Sequence, residues 1–92
     1  MPSTKDRYLD VTFRKGNPFA AYLYLPRESN DASARVERYE HGLLVDRTAD
    51  GRAIGVEISD PRHVTLTGIN HVLTELSQEP LSAADIAPLG AA

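Results

Sequence analysis

Apolar and polar residues alternate along the first part of the chain. Across residues 8–15, Leu9, Val11 and Phe13 fall on one side and Asp10, Thr12 and Arg14 on the other, the period-two pattern of a half-buried strand. Gly16-Asn17-Pro18 has turn chemistry, and residues 19–25 read as a second strand. In that strand Ala21, Leu23 and Leu25 share one face while Ala20, Tyr22 and Tyr24 share the other. With neither face fully polar, a central position in a sheet is expected. Residues 26–34 are rich in Ser, Asn and Asp and predict a mobile polar loop without core residues. In residues 35–41, Val36 and Tyr39 stand three apart, which breaks the alternation and predicts a charged, bulged strand near an edge.

The strongest local signal spans residues 42–58, where two apolar β-forming runs flank Asp50-Gly51. That dipeptide is a hairpin signature, because glycine takes positive φ without steric cost. A two-residue turn there pairs Leu43 with Ile58 and Val45 with Val56, gathering the apolar residues on one side. A three-residue loop with a glycine bulge pairs Leu44 with Val56 and sets Asp46 against Ile54. The first register buries more and is favoured, although Ala49-Asp50-Gly51 also suits the second. After Asp60-Pro61, Leu66, Ile69, Leu73 and Leu76 recur at helical spacing with Val72 beside them, predicting an amphipathic helix capped by Thr65 or Thr67 and closed by Pro80. Ser82-Ala83-Ala84-Asp85 has the form of a capping box and predicts a short turn to about Ala87. The expected fold is therefore α+β: a four- or five-stranded antiparallel β-meander over about residues 8–59, with one amphipathic helix over about 66–76 packed on one face. A short capped turn and tail over 82–92 complete a single domain.

Composition narrows the function. A chain of 92 residues has little interior to spare for a deep enzyme pocket. Its 13 acidic and 10 basic residues are interspersed at a net charge of −3, so no nucleic-acid partner is expected. The absence of cysteine excludes disulfides, thiolate metal sites and a cysteine nucleophile, and suits a reducing compartment, hence a cytoplasmic location. The start of the chain is polar, and no run approaches the roughly 18 apolar residues of a membrane span, so no membrane association is expected.

Candidate chemistry is sparse. His41, His63 and His71 are separated by 22 and 8 residues, which matches no metal-ligating pair on a helix or strand. Asp46, Asp50, Glu57 and Asp60 cluster around the hairpin in sequence, where paired carboxylates can share a proton or bind a cation; turn chemistry already accounts for Asp50 and Asp60. No serine occupies a nucleophile elbow, and the Gly51 to Gly55 spacing lies in a hairpin and not in a phosphate loop. No cofactor, metal or catalytic residue is predicted. Tyr8, Tyr22 and Tyr24 carry more weight. They project from the sheet face opposite the apolar one, and a single helix covers only one face, so they are expected to form an interface. The favoured reading is a non-catalytic interaction or regulatory module acting as a homodimer, with a second, unidentified protein partner allowed. The alternative is a small-ligand-binding protein or enzyme with a site at a subunit interface around His41, Asp46 and Glu57.

The blocks Ala21-Tyr22-Leu23-Tyr24-Leu25, Gly42-Leu43-Leu44-Val45-Asp46 and Asp50-Gly51-Arg52-Ala53-Ile54-Gly55-Val56-Glu57-Ile58 resemble those of a family of short bacterial proteins filed as a domain of unknown function, number 2283. The resemblance runs over about residues 8–76 and implies a small antiparallel meander followed by a helix. It implies no activity, cofactor or catalytic residue. The basic turn at Arg14-Lys15-Gly16-Asn17-Pro18 departs from the acidic turn usual in that family, and the loop over residues 26–34 is longer than usual.

Overall fold

Two consecutive residues at positive φ, Lys15 (53°) and Gly16 (81°), make a two-residue turn between strand β1 (Tyr8–Arg14) and strand β2 (Asn17–Tyr24). Paired positive φ values give the turn a twist that matches right-handed strands, so Arg14 closes directly on Asn17. The turn thus sits one residue earlier than Gly16-Asn17-Pro18. Lysine is strained there, whereas asparagine tolerates the left-handed region. Lys15→Asn should therefore stabilise the protein by roughly 0.5–1 kcal/mol and raise the melting temperature by a few degrees. An unchanged or lowered midpoint would show that the strain is not there.

This computed structural model describes residues 7–40 and 42–90. Three further strands follow: β3 (Arg35–Arg38), β4 (Leu43–Arg47) and β5 (Ala53–Ile58). All five form one antiparallel sheet in the order β1-β2-β5-β4-β3. The expected α+β fold with a C-terminal helix is present, but the chain order is not a continuous meander. β3, β4 and β5 meander, β1 and β2 form a hairpin, and the two units join where β2 pairs with β5. Residues 26–34 carry the chain from β2, the second strand of the sheet, to β3 at its far edge. That loop is pinned at Asp31, whose carboxylate accepts from both terminal nitrogens of Arg52 (2.9 and 2.7 Å) and from the Glu28 N–H. The amphipathic β2 takes a central place and the charged β3 an edge, as their compositions require.

The hairpin between β4 and β5 combines both expected registers. At the tip, Thr48 accepts from the Gly51 N–H (2.9 Å) and donates its own N–H to Arg52 O (2.9 Å), while Gly51 stands at φ 95°, the three-residue loop with a glycine bulge. Arg47 then pairs with Ala53, but Asp46 pairs with Gly55, so Ile54 is an extra residue in β5. This bulge restores the favoured pairing of Leu43 with Ile58 and Val45 with Val56. A second bulge, at Phe19 in β2, lets Phe13 pair with Pro18. The proline is tolerated because β5 joins β2 only from Ala21 onward, leaving its missing N–H without a ladder to disrupt.

One face of the sheet carries the core. Ala21, Leu23, Leu25, Leu43, Val45, Val56 and Ile58 meet Ile69, Val72 and Leu73 of helix α1 (Leu66–Glu75). Burial of such aliphatic side chains contributes about 1.5–3 kcal/mol each. Thr65 caps the helix, its hydroxyl accepting from the Gly68 N–H at 3.0 Å. The helix ends before Pro80, with Ser77 already at φ 60°. The tail is held down: Asn70 bonds both the N–H and the carbonyl of Leu81 (2.7 and 3.0 Å), and Ser82 and Asp85 form a reciprocal capping pair. A 3₁₀ turn (Ala87–Gly90) then delivers Leu89 into the core. Phe13, expected on the buried face, is instead 48% exposed, since it lies at the far end of an edge strand with no further strand beyond it among the described residues. No helix among the described residues is long and apolar enough to cross a membrane.

Candidate functional site

Because α1 and the tail cover one side, no helix of the described residues lies on the other side of the sheet, which is clothed by the strands' own side chains and by Arg27 from the loop after β2. The alternation of the strands and their registers bring Tyr8 and Asp10 of β1, Tyr22 and Tyr24 of β2, Gly55 and Glu57 of β5, and Leu44 and Asp46 of β4 to this outer face. Tyr8 lies opposite Tyr24 in the ladder and their rings stack, with centroids 4.5 Å apart and planes at 14°. Tyr22 meets Tyr24 edge-on at 4.7 Å. These are the favourable geometries for aromatic quadrupoles, worth about 0.5–1.5 kcal/mol per pair beyond area burial.

Glycine at position 55 makes room for this row. A Cβ there would fall 1.9 Å from the Tyr22 hydroxyl and 2.2 Å from Cζ, so the Tyr22 ring lies directly on the Gly55 backbone. Crossing β5 in this way, the ring reaches β4, where its hydroxyl donates to Asp46 Oδ2 at 2.6 Å. Burial, followed by that bond to Asp46, pushes the Tyr22 hydroxyl up to about 12. It therefore remains a proton donor throughout the physiological range. Arg27 fastens the end of the row. Its Nη2 donates to the carbonyl of the bulged Ile54 at 2.5 Å and lies 3.5 Å from the Tyr22 hydroxyl, while its guanidinium carbon stands 5.3 Å from the Tyr24 ring centre.

Tyr8, Tyr22 and Tyr24 thus come together on one face as their positions in the sequence predict. Asp46, assigned by sequence to the alternative ligand site, belongs to the same row as the acceptor of Tyr22. Glu57 pairs with Tyr22 in the ladder and is exposed, and His41 lies outside the described residues. The acidic residues around the hairpin do not converge. Asp50 accepts from Thr48 and Arg52, and Asp60 is bonded to His63 (2.8 Å). Among the described residues no three His, Asp or Glu side chains are grouped to hold a metal ion. The row also includes Arg27 and Gly55, which sequence reasoning did not single out. A glycine inside an apolar strand was the available signal for a close approach.

His71 bridges two carboxylates, with Nδ1 2.8 Å from Glu40 and Nε2 3.1 Å from Glu75. Glu40, then Glu75, raise its pKa above the usual 6.5. The folded value exceeds the unfolded one, so the stabilisation is complete below the unfolded pKa and is lost as pH rises through the folded one. An NMR titration should place the His71 midpoint above 6.5, and Glu40→Gln should lower it more than Glu75→Gln does. A midpoint unmoved by Glu40→Gln would assign the bridge to the helix alone.

Larger hollows lie away from the tyrosine row. An open one of about 470 Å³ is lined by Pro61, Val64, Leu66, Ile86 and Leu89. Another, of about 400 Å³, lies at the turn between β1 and β2 beside Arg14, Lys15 and Arg62. Neither is lined by Asp46 or Glu57. No protein-family model matches the chain, and no curated protein or solved structure is significantly similar to it.

Proposed function

We propose that this chain is a non-catalytic interaction module of the cytoplasm that works as a homodimer, with the Tyr8 end of the tyrosine row at the contact. One observation carries the reading. The row is ordered in advance by stacking and by the Tyr22–Asp46 bond, and it runs out at an open sheet edge where Tyr8 is 59% exposed. Rigid aromatic side chains bury large area at low entropic cost, and a second copy is the partner always present. Tyr22 and Tyr24 are half-buried within the chain, which leaves Tyr8, stacked on Tyr24 but exposed, as the member of the row with the most surface to offer another molecule. A ligand site around Asp46 is less favoured, because the Tyr22 hydroxyl already occupies that carboxylate.

Light scattering tests this on the Tyr8→Glu variant. The substitution should shift the particle mass toward that of one chain while leaving the melting midpoint within a few degrees of the parent. A variant as dimeric as the parent would take Tyr8 out of the contact. A parent that is itself monomeric would leave the face to a different protein.

A further inference from the structure

We infer that the second copy docks edge to edge on β1, antiparallel and about a two-fold axis at Val11, so that two five-stranded sheets become one continuous sheet. This rests on the homodimer reading and specifies its geometry. The two edges of the sheet differ. β3 has four residues, Arg35, Val36, Glu37 and Arg38, and Glu37 is further tied to Arg47 at 2.8 Å. Short length and dense charge are the usual protection of an edge against pairing. β1 has seven residues and only Asp10 and the terminal Arg14 are charged, with no proline and no bulged residue of its own. Among the described residues, its backbone makes no hydrogen bond outside the ladder with β2.

The direction of the unpaired groups can be read from the ladder. Leu25 donates its N–H to Ile54 O at 3.2 Å, so the odd-numbered residues of this end of β2 turn their backbone toward β5 and the even-numbered ones toward β1. Tyr8, Asp10 and Thr12, opposite Tyr24, Tyr22 and Ala20, therefore bond to β2. Leu9, Val11 and Phe13 present their N–H and C=O groups to the open edge. A two-fold axis at Val11 sets Leu9 against the partner's Phe13 and Val11 against the partner's Val11, each pair exchanging both backbone bonds. On the core side this covers Phe13, which is 48% exposed, and the half-buried Leu9 and Val11. On the outer side Tyr8 faces the partner's Arg14 and Asp10 faces the partner's Thr12, so no like charges are opposed. Sliding by one pair in one direction sets Asp10 against the partner's Asp10. The opposite slide leaves Leu9 facing the partner's Lys15, in the turn. The Val11 register alone uses every residue of β1.

Amide hydrogen exchange on the parent chain, together with the Val11→Pro variant, decides between outcomes. Proline at 11 removes an N–H that points away from β2, a position an edge strand tolerates. The expected result is that the Leu9, Val11 and Phe13 amides slow by more than about tenfold between dilute and concentrated protein, and that Val11→Pro is folded and monomeric. If the parent is a dimer whose three amides exchange freely at every concentration, the β1 contact is wrong and the homodimer reading stands. A parent that stays monomeric overturns both. Should Val11→Pro fail to fold, the amide measurement on the parent still gives the answer.

Discussion

Val56→Asp should abolish folding. Val56 is 1% exposed and lies in a rung between Leu23 of β2 and Val45 of β4, themselves 2% and 0% exposed. It belongs to the cluster that meets Ile69, Val72 and Leu73 of α1. Among the described residues the only buried polar or charged side chain is Thr48, so the carboxylate would be buried unpaired or forced to protonate. A cost of several kcal/mol per buried ion is comparable to the whole stability of a small domain, roughly 5–15 kcal/mol. Circular dichroism should show no cooperative melting transition. Val56→Ala, which only removes volume, should remain folded with a lowered midpoint. A Val56→Asp variant melting within a few degrees of the parent would place Val56 on the wrong side of the sheet.

Gly55→Ala should have the second largest effect, and its origin lies on the opposite face. Replacing an extended glycine by alanine normally stabilises by about 0.4–1 kcal/mol through the unfolded state. Here the added methyl would stand 1.9 Å from the Tyr22 hydroxyl, and the ring cannot yield without leaving Asp46 and its edge contact with Tyr24. A hydrogen bond to a charged acceptor is worth roughly 1.5–3 kcal/mol. The net loss should be about 1–3 kcal/mol in urea denaturation. In a Tyr22→Ala background the methyl has space, and Gly55→Ala should become neutral or stabilising. Equal costs in both backgrounds would show that Tyr22 does not lie on Gly55.

Local chemistry made much of this fold legible. Strand alternation, the Asp50-Gly51 hairpin, the stripe from Leu66 to Leu76, the Thr65 cap and the Ser82–Asp85 box all depend on residues a few positions apart. What escaped was nonlocal. Nothing within β2 states that its neighbour is β5 and not β3, and without that pairing Tyr22 cannot be placed across Gly55 from Asp46. The two residues consequently fell into competing readings, interface and ligand site, although they are donor and acceptor of one bond. Arg27 and Asp31 sit in a loop whose composition reads as mobile, yet their side chains reach Ile54 and Arg52 in the hairpin, more than twenty residues away. The bulge at Ile54 was hidden for another reason: both hairpin registers were plausible locally, and the chain uses one at the tip and the other along the strands.

The particle mass of the parent chain in solution, measured by light scattering over a concentration series, bears most directly on the proposed function. About twice the 10.1 kDa chain mass is predicted. A mass of one chain persisting at the highest concentration would contradict it.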